Sequence, residues 1–363
     1  MRMALLPQMM RSARLLECSA LDLATQGLGG RKSRPSACWA RVMHVQRWMG
    51  HLTDRLKPHF LHHLRLSCAV FALLFSAASA LASANFENRA AQTIIDRPEA
   101  AHGPLPTIIV LHGAGLSGAL TRNMMPLPKL AKEAGFVVAF PDAAGLVWNE
   151  ASLARALPSA FYGPDDVALL DGLIDHLVQG GIADPAAIHL VGISNGGMMA
   201  AHYACLRAGR LASLMLFKAT MPPASDPPCT PARPLPVMLV AGTQDPVVRW
   251  DGNVVLGGAV MLQRRRSIPE SFAFWQAANG CTGVAPAQPQ PRRGALDQPD
   301  VLLHRAEPCR HGVATWLYEV RGGGHRLPGG EELSLLRVLG RATPDLETSA
   351  MILAFARSAK AVP

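Results

Sequence analysis

One segment constrains the fold more than any other. The apolar run Ile188-His189-Leu190-Val191 leads directly into Gly192-Ile193-Ser194-Asn195-Gly196, and a helical pattern follows from Met198 to Leu206. A strand that turns this sharply into a helix needs small residues around the turn. It holds the central serine in a strained backbone with its hydroxyl projecting. Such a unit belongs in a sheet covered by helices. The rest of the chain repeats the alternation. Thr107–Leu111, Phe136–Phe140, Leu214–Phe217, Val237–Ala241 and Trp316–Val320 are short apolar runs bounded by Gly, Pro or Asp. They read as strands buried on both faces. Leu127–Ala134, Ser271–Ala278 and Thr348–Ala359 read as helices. A further helix, capped by Asp165 or Asp166, runs to about Val178 with Val167, Leu170, Ile174 and Leu177 on one face. The pattern predicts an α/β fold with a mostly parallel central sheet and helices on both faces. Pro222–Pro236, with seven prolines, and Ala285–Gly294 read as surface loops.

The chain has 363 residues, 49% apolar and 17% charged, which excludes disorder as its main state. Its net charge of +9 invites a nucleic-acid reading, but the charge is misplaced for that. Residues 1–84 carry eleven Lys/Arg against three Asp/Glu, whereas residues 85–363 are close to balance. No nucleic-acid partner is therefore expected. Leu66–Phe86 contains no charged residue. His62, His63 and Arg65 precede it, and Ala82-Ser83-Ala84 offers a cleavage point before Asn85. This is the layout of a secretory signal peptide. The rival is an uncleaved membrane anchor, which the Ala/Ser-rich second half suits poorly. Residues 1–84 are thus read as a basic leader and signal peptide, with Met43 or Met49 as alternative starts. Residues 85–363 are read as a single catalytic domain, extracellular or periplasmic and without a stable membrane anchor once cleaved. Cys205, Cys229, Cys281 and Cys309 remain in that domain. Pairing Cys205 with Cys229 and Cys281 with Cys309 closes two short loops that lack core; four free thiols are the alternative.

A serine hydroxyl is a weak nucleophile. It needs a base, and the base needs an orienting acid. Asp245 follows the Val237–Ala241 run, and His325 follows Trp316–Val320 within Gly322-Gly323-Gly324-His325. Ser194, Asp245 and His325 therefore occur in the chain order of a strand-borne triad, each at the C-terminal end of a strand, where open α/β sheets place their ligands. A tetrahedral oxyanion needs two aimed backbone N–H groups. Asn195 supplies one. Ala114, in Leu111-His112-Gly113-Ala114-Gly115, is assigned the other, with His112 read as structural. Trp148 and Trp250 stand in loops near strand ends and either line the substrate cleft or pack. No metal motif and no phosphate-binding loop occurs, so no metal or cofactor is expected.

Several segments together carry a resemblance: LHGAG (111–115), GFVVAFPD (135–142), WN (148–149), DDVALLDGLID (165–175), GISNGGMMA (192–200), GTQDPVVRWDG (242–252), FWQAANGCTG (274–283) and GGGHRLPGG (322–330). Over most of 106–357 the chain resembles the polyhydroxybutyrate depolymerase and feruloyl-esterase-like family of secreted α/β-hydrolases (LpqC-type esterases). The resemblance implies an α/β-hydrolase fold and ester hydrolysis with Ser194 as nucleophile, Asp245 as acid and His325 as base. It implies an ester as the substrate, either a hydroxyalkanoate oligomer or a feruloyl or aryl ester. The alternatives are an acyltransferase or peptidase on the same fold, or a non-catalytic binding protein. The chain departs from the family where Phe217-Lys218-Ala219-Thr220 replaces a small, Ala/Gly-rich segment, and where Leu327 replaces a tryptophan. Lys218 either enters the acyl pocket or lies at the surface, and is read as the latter. Only Lys360–Pro363 follow the closing helix, and the domain is nearly neutral. Inefficient attack on crystalline polyester is expected from both. Nothing in the residues fixes an oligomeric state.

Overall fold

The computed structural model describes residues 92–99, 102–150, 165–223, 229–256, 259–260, 265–330 and 338–359. The chain divides into Met1–Ala82 and Ser83–Pro363, and all described residues belong to the second unit. The leader, its cleavage points and Met43 and Met49 lie outside the described residues. No helix among those described is long and apolar enough to cross a membrane.

In chain order the elements are β1 (Ile94–Asp96), β2 (Leu105–Leu111), α1 (Gly118–Asn123), α2 (Leu127–Glu133), β3 (Val137–Phe140), α3 (Asp166–Gln179), β4 (Ala183–Ile193), α4 (Asn195–Arg207), β5 (Ser213–Phe217), β6 (Val237–Gly242), β7 (Val255–Leu256), β8 (Ala259–Val260), α5 (Ile268–Ala278), β9 (Gln288–Pro289), β10 (Asp300–Ala306), β11 (Thr315–Arg321) and α6 (Thr348–Ser358). Nine strands form one sheet in the order β1-β3-β2-β4-β5-β6-β11-β10-β9. The central run from β3 to β11 is parallel, and the flanking pairs β1–β3, β11–β10 and β10–β9 are antiparallel. β7 and β8 make a separate hairpin. This is the mostly parallel α/β sheet that the residue pattern predicts, and the α/β-hydrolase fold that the resemblance implies.

The strands separate two apolar layers by simple alternation. On β5, Leu214 and Leu216 enter the layer covered by α3, α4 and α5; Met215 and Phe217 enter the layer covered by α2 and α6. Both layers are drawn from continuous apolar runs because parallel strands are buried on both faces. The helices are capped as their sequences dictate. Asp165 accepts from the N–H groups of Val167 and Ala168, and Ser267 and Glu270 form a reciprocal capping box on α5.

Two edges differ from the sequence expectation. β1, β9 and β10 are not among the expected strands, and β9 lies inside the Ala285–Gly294 stretch read as a surface loop. β10 is half polar because it is antiparallel and only one face is buried, so it lacks the continuous apolar signal. The helix after the serine begins at Asn195, three residues before Met198. Gly196 and Gly197 obscure that start, since glycine is a poor helix former.

The cysteines pair as expected. Cys205 bonds Cys229 with their Cα atoms 4.8 Å apart, and Cys281 bonds Cys309 with theirs 3.8 Å apart. The sequence separations are 24 and 28. Loops of that size are worth about 3–4 kcal/mol each on a chain-entropy estimate. The first bond ties the end of α4 to the proline-rich loop. The second ties the end of α5 to the turn before β11.

Candidate active site

Ser194 sits at the turn between β4 and α4 with φ 55° and ψ −119°. A non-glycine residue in that region is strained, and the surroundings must hold it. They do so through close packing. A Cβ on Gly192 would lie 2.3 Å from Gly196 O, and one on Gly197 would lie 2.4 Å from Ala219 Cβ. Neither position admits a side chain, so the turn is tight by composition. Ser194 N–H also donates to Phe217 O at 2.9 Å, which locks the elbow to β5.

Asp245 follows β6 and is buried. One carboxylate oxygen accepts from Val247 N–H at 2.8 Å and Val248 N–H at 2.9 Å. The other lies 2.8 Å from His325 Nδ1. His325 Nε2 in turn lies 2.9 Å from Ser194 Oγ. With Nδ1–H donating to the carboxylate, Nε2 is left as the acceptor for the serine proton. The loops that carry Asp245 and His325 are stacked on each other. A Cβ on Gly242 would lie 2.2 Å from Gly323 O, Gln244 N–H donates to Gly323 O at 3.0 Å, and Gly322 N–H donates to Thr243 Oγ1 at 2.9 Å. His325 N–H donates to Leu339 O at 2.6 Å. His325 is thus held by backbone on two sides.

Asn195 is the first residue of α4, so its N–H has no intrahelical acceptor. The loop carrying Ala114 lies alongside: a Cβ on Gly113 would be 3.6 Å from Ser194 Cβ. Ala114 itself is exposed. A buried network joins the two sides. Asn195 Oδ1 accepts from Trp148 N–H at 2.7 Å, and its Nδ2 donates to Trp148 O at 3.2 Å. Trp148 Nε1 donates to His112 O at 3.0 Å. His112 Nδ1 donates to Gly113 O at 2.9 Å while Nε2 accepts from Ala143 N–H at 3.0 Å. Burial holds this imidazole below its ordinary range, so it stays neutral and structural.

Trp148 is 0% exposed, so the cleft-lining alternative fails for it: both its ring and its backbone are spent on the His112–Asn195 network. Trp250 is half-buried against the α3–α4–α5 layer, and its carbonyl accepts from Ile268 N–H. Lys218, read from the sequence as a surface lysine, is buried: it is 2% exposed and follows the strand beside the elbow. Two further features were not legible beforehand. The Asn195–Trp148–His112 network had a signal in the Trp148-Asn149 pair. The buried Glu150–Arg265 ion pair had none: a single Arg265 nitrogen reaches the two oxygens at 2.9 and 3.1 Å across 115 residues of sequence. Among the described residues, no group of three or more His, Cys, Asp or Glu is arranged to hold a metal ion.

No protein-family model matches the chain. It is 28% identical over 229 residues to Feruloyl esterase B of Piromyces equi, spanning 61% of this chain and 39% of that protein's length. It is 26% identical over 258 residues to a Nocardia uniformis subsp. tsuyamanensis protein named "Putative esterase NocK", spanning 67% of this chain and 72% of that one. Its structure is similar to that of an acetyl xylan esterase from Aspergillus awamori, with a TM-score of 0.44 and 13% identity over 64% of this chain and 88% of that one.

Proposed function

We propose that the chain hydrolyses carboxylic esters through an acyl-serine intermediate. The observation that carries this reading is the unbroken relay from Asp245 through His325 to Ser194, at 2.8 and 2.9 Å, on a strained strand–helix turn. Ser194 Oγ attacks the ester carbonyl as His325 Nε2 takes its proton. Asp245 holds Nδ1–H and favours the imidazolium that forms. The negative oxygen of the tetrahedral intermediate is held by the N–H groups of Asn195 and Ala114. His325 then gives its proton to the departing alcohol. In the second half it activates water, which releases the acid and regenerates Ser194.

Both sequence relatives bear the name of an esterase, which favours an ester over an amide bond. The family resemblance favours hydroxyalkanoate oligomers or feruloyl and other aryl esters as the substrate class. The basic leader and the two disulfides support export to the periplasm or the cell exterior, an oxidising setting in which disulfides persist.

The test uses one acyl group in two linkages. Purified protein should turn over a short-chain aryl ester or a feruloyl ester, and leave the matching anilide essentially untouched. Faster cleavage of the anilide, or no cleavage of any ester in a panel, overturns the reading.

A further inference from the structure

Asn195 enters the reaction through its backbone N–H, while its side chain is spent on one other residue. Oδ1 accepts from Trp148 N–H at 2.7 Å and Nδ2 donates to Trp148 O at 3.2 Å. The buried Trp148 indole carries the connection onward, Nε1 donating to His112 O at 3.0 Å. His112 Nδ1 then donates to Gly113 O at 2.9 Å, and Leu116 N–H donates to the same oxygen at 3.1 Å. Gly113 C=O and Ala114 N–H belong to one trans peptide, in which the two groups point in opposite directions. A buried imidazole that holds Gly113 O inward therefore turns Ala114 N–H outward, where Ala114 is exposed. The hydrogen bonds on the carbonyl also polarise the amide and strengthen its N–H as a donor.

The two N–H groups assigned to the oxyanion come from different turns, one after β2 and one after β4. The ladder between these strands ends with Leu111 opposite Gly192, before either donor is reached. Beyond that point the side-chain network joins the two turns. It contributes no cap to α4, and an apolar pair of the same volume would avoid burying an amide and an indole N–H. We propose that the Asn195 carboxamide, Trp148 and His112 form one frame of positioning residues, which holds the Asn195 and Ala114 N–H groups at the separation and angle that the oxyanion requires. This rests on the esterase reading given above.

Donors aimed before the charge develops act on the transition state and little on the neutral ester. Acylation and deacylation both pass through an oxyanion. Loosening the frame should therefore lower kcat and leave KM almost unchanged. Asn195→Ala removes both hydrogen bonds to Trp148 and keeps the backbone N–H. Trp148→Phe keeps an aromatic ring and removes only the Nε1–H link to His112 O. Because both substitutions break the same frame, their losses should not multiply when combined.

The experiment compares the wild type with Asn195→Ala, Trp148→Phe and the double variant. It measures kcat and KM on a neutral aryl ester, and the inhibition constant of an aryl boronic acid. The boronic acid mimics the intermediate: Ser194 Oγ adds to boron, its proton passes to His325, and a tetrahedral anion results. Asn195→Ala should lower kcat by roughly 10- to 100-fold with KM within about twofold, and weaken the boronic acid by a similar factor. Trp148→Phe should lower kcat by about 10-fold, again with KM unchanged. The double variant should lose about as much as Asn195→Ala alone. Should Asn195→Ala not fold, Trp148→Phe decides the matter through the same split between kcat and KM. A raised KM at unchanged kcat, or unchanged kcat and inhibition in the folded variants, overturns the positioning role and leaves the esterase reading standing. Losses that multiply in the double variant overturn the single frame. A wild type that neither turns over esters nor binds the boronic acid overturns the esterase reading, and this inference with it.

Discussion

Ser194→Ala is expected to lower ester turnover by about 10⁴-fold or more while leaving the fold intact. Removal of Oγ takes away the one atom to which His325 Nε2 is bonded, 2.9 Å away. No other group in the relay can replace it as a nucleophile. The fold should not respond, because alanine keeps the Cβ that already occupies the φ 55° backbone. The hydroxyl contributes no cap to α4, whose N-terminus has no side-chain hydrogen bond from Ser194. Initial rates on an aryl ester, with far-ultraviolet circular dichroism of the same sample, give the answer. Turnover near that of the wild type, with an unchanged spectrum, excludes Ser194 as the nucleophile.

The second large effect is expected from Gly196→Ala. A Cβ at this position would lie 2.4 Å from His112 O and 2.5 Å from Leu111 O. Both are backbone atoms at the end of β2, so no flexible side chain can yield. The first turn of α4 must withdraw from β2, taking Ser194 and Asn195 away from the loop that carries Ala114. Overpacking of this kind costs about 1–3 kcal/mol or more. A displacement of about an ångström between nucleophile and oxyanion donors costs roughly 10²-fold in rate. Gly209→Ala is the matched control, since its Cβ meets nothing within 4 Å. Urea midpoints and kcat/KM for the two variants should diverge sharply. Equal stability and equal activity contradict the packing described for the elbow.

Much of this was readable from residues because it follows from local rules. The parallel strands are continuous apolar runs, and a run such as Val237–Ala241 can be buried on both faces in few other ways. Ser194, Asp245 and His325 each follow a strand, and the sheet order then brings the ends of β4, β6 and β11 to one edge. The cysteine pairs follow from loop length and missing core. What escaped depends on packing between distant segments. Trp148 looks from its loop position like a residue that faces the substrate. Its burial is decided by Asn195, which lies 47 residues away and takes both of its polar backbone groups. Lys218 carries a charge that composition alone places at the surface. It is enclosed because the strand beside the nucleophile must continue into the interior, and Thr220, two residues on, is held there by Ser271 and Arg266. β10 escaped for the opposite reason: an antiparallel strand with one wet face shows polar residues such as His304, which pairs with Glu319 on β11 at 2.8 Å.

In the proposed reaction Ser194 is the single activated nucleophile. The most direct measurement is to treat the protein with a fluorophosphonate, follow residual ester turnover, and map the modified peptide by mass spectrometry. The geometry predicts one adduct per chain, on Ser194, with turnover falling in step with its formation. Turnover that persists after Ser194 is fully modified, or an adduct at another residue that accompanies the loss, contradicts it.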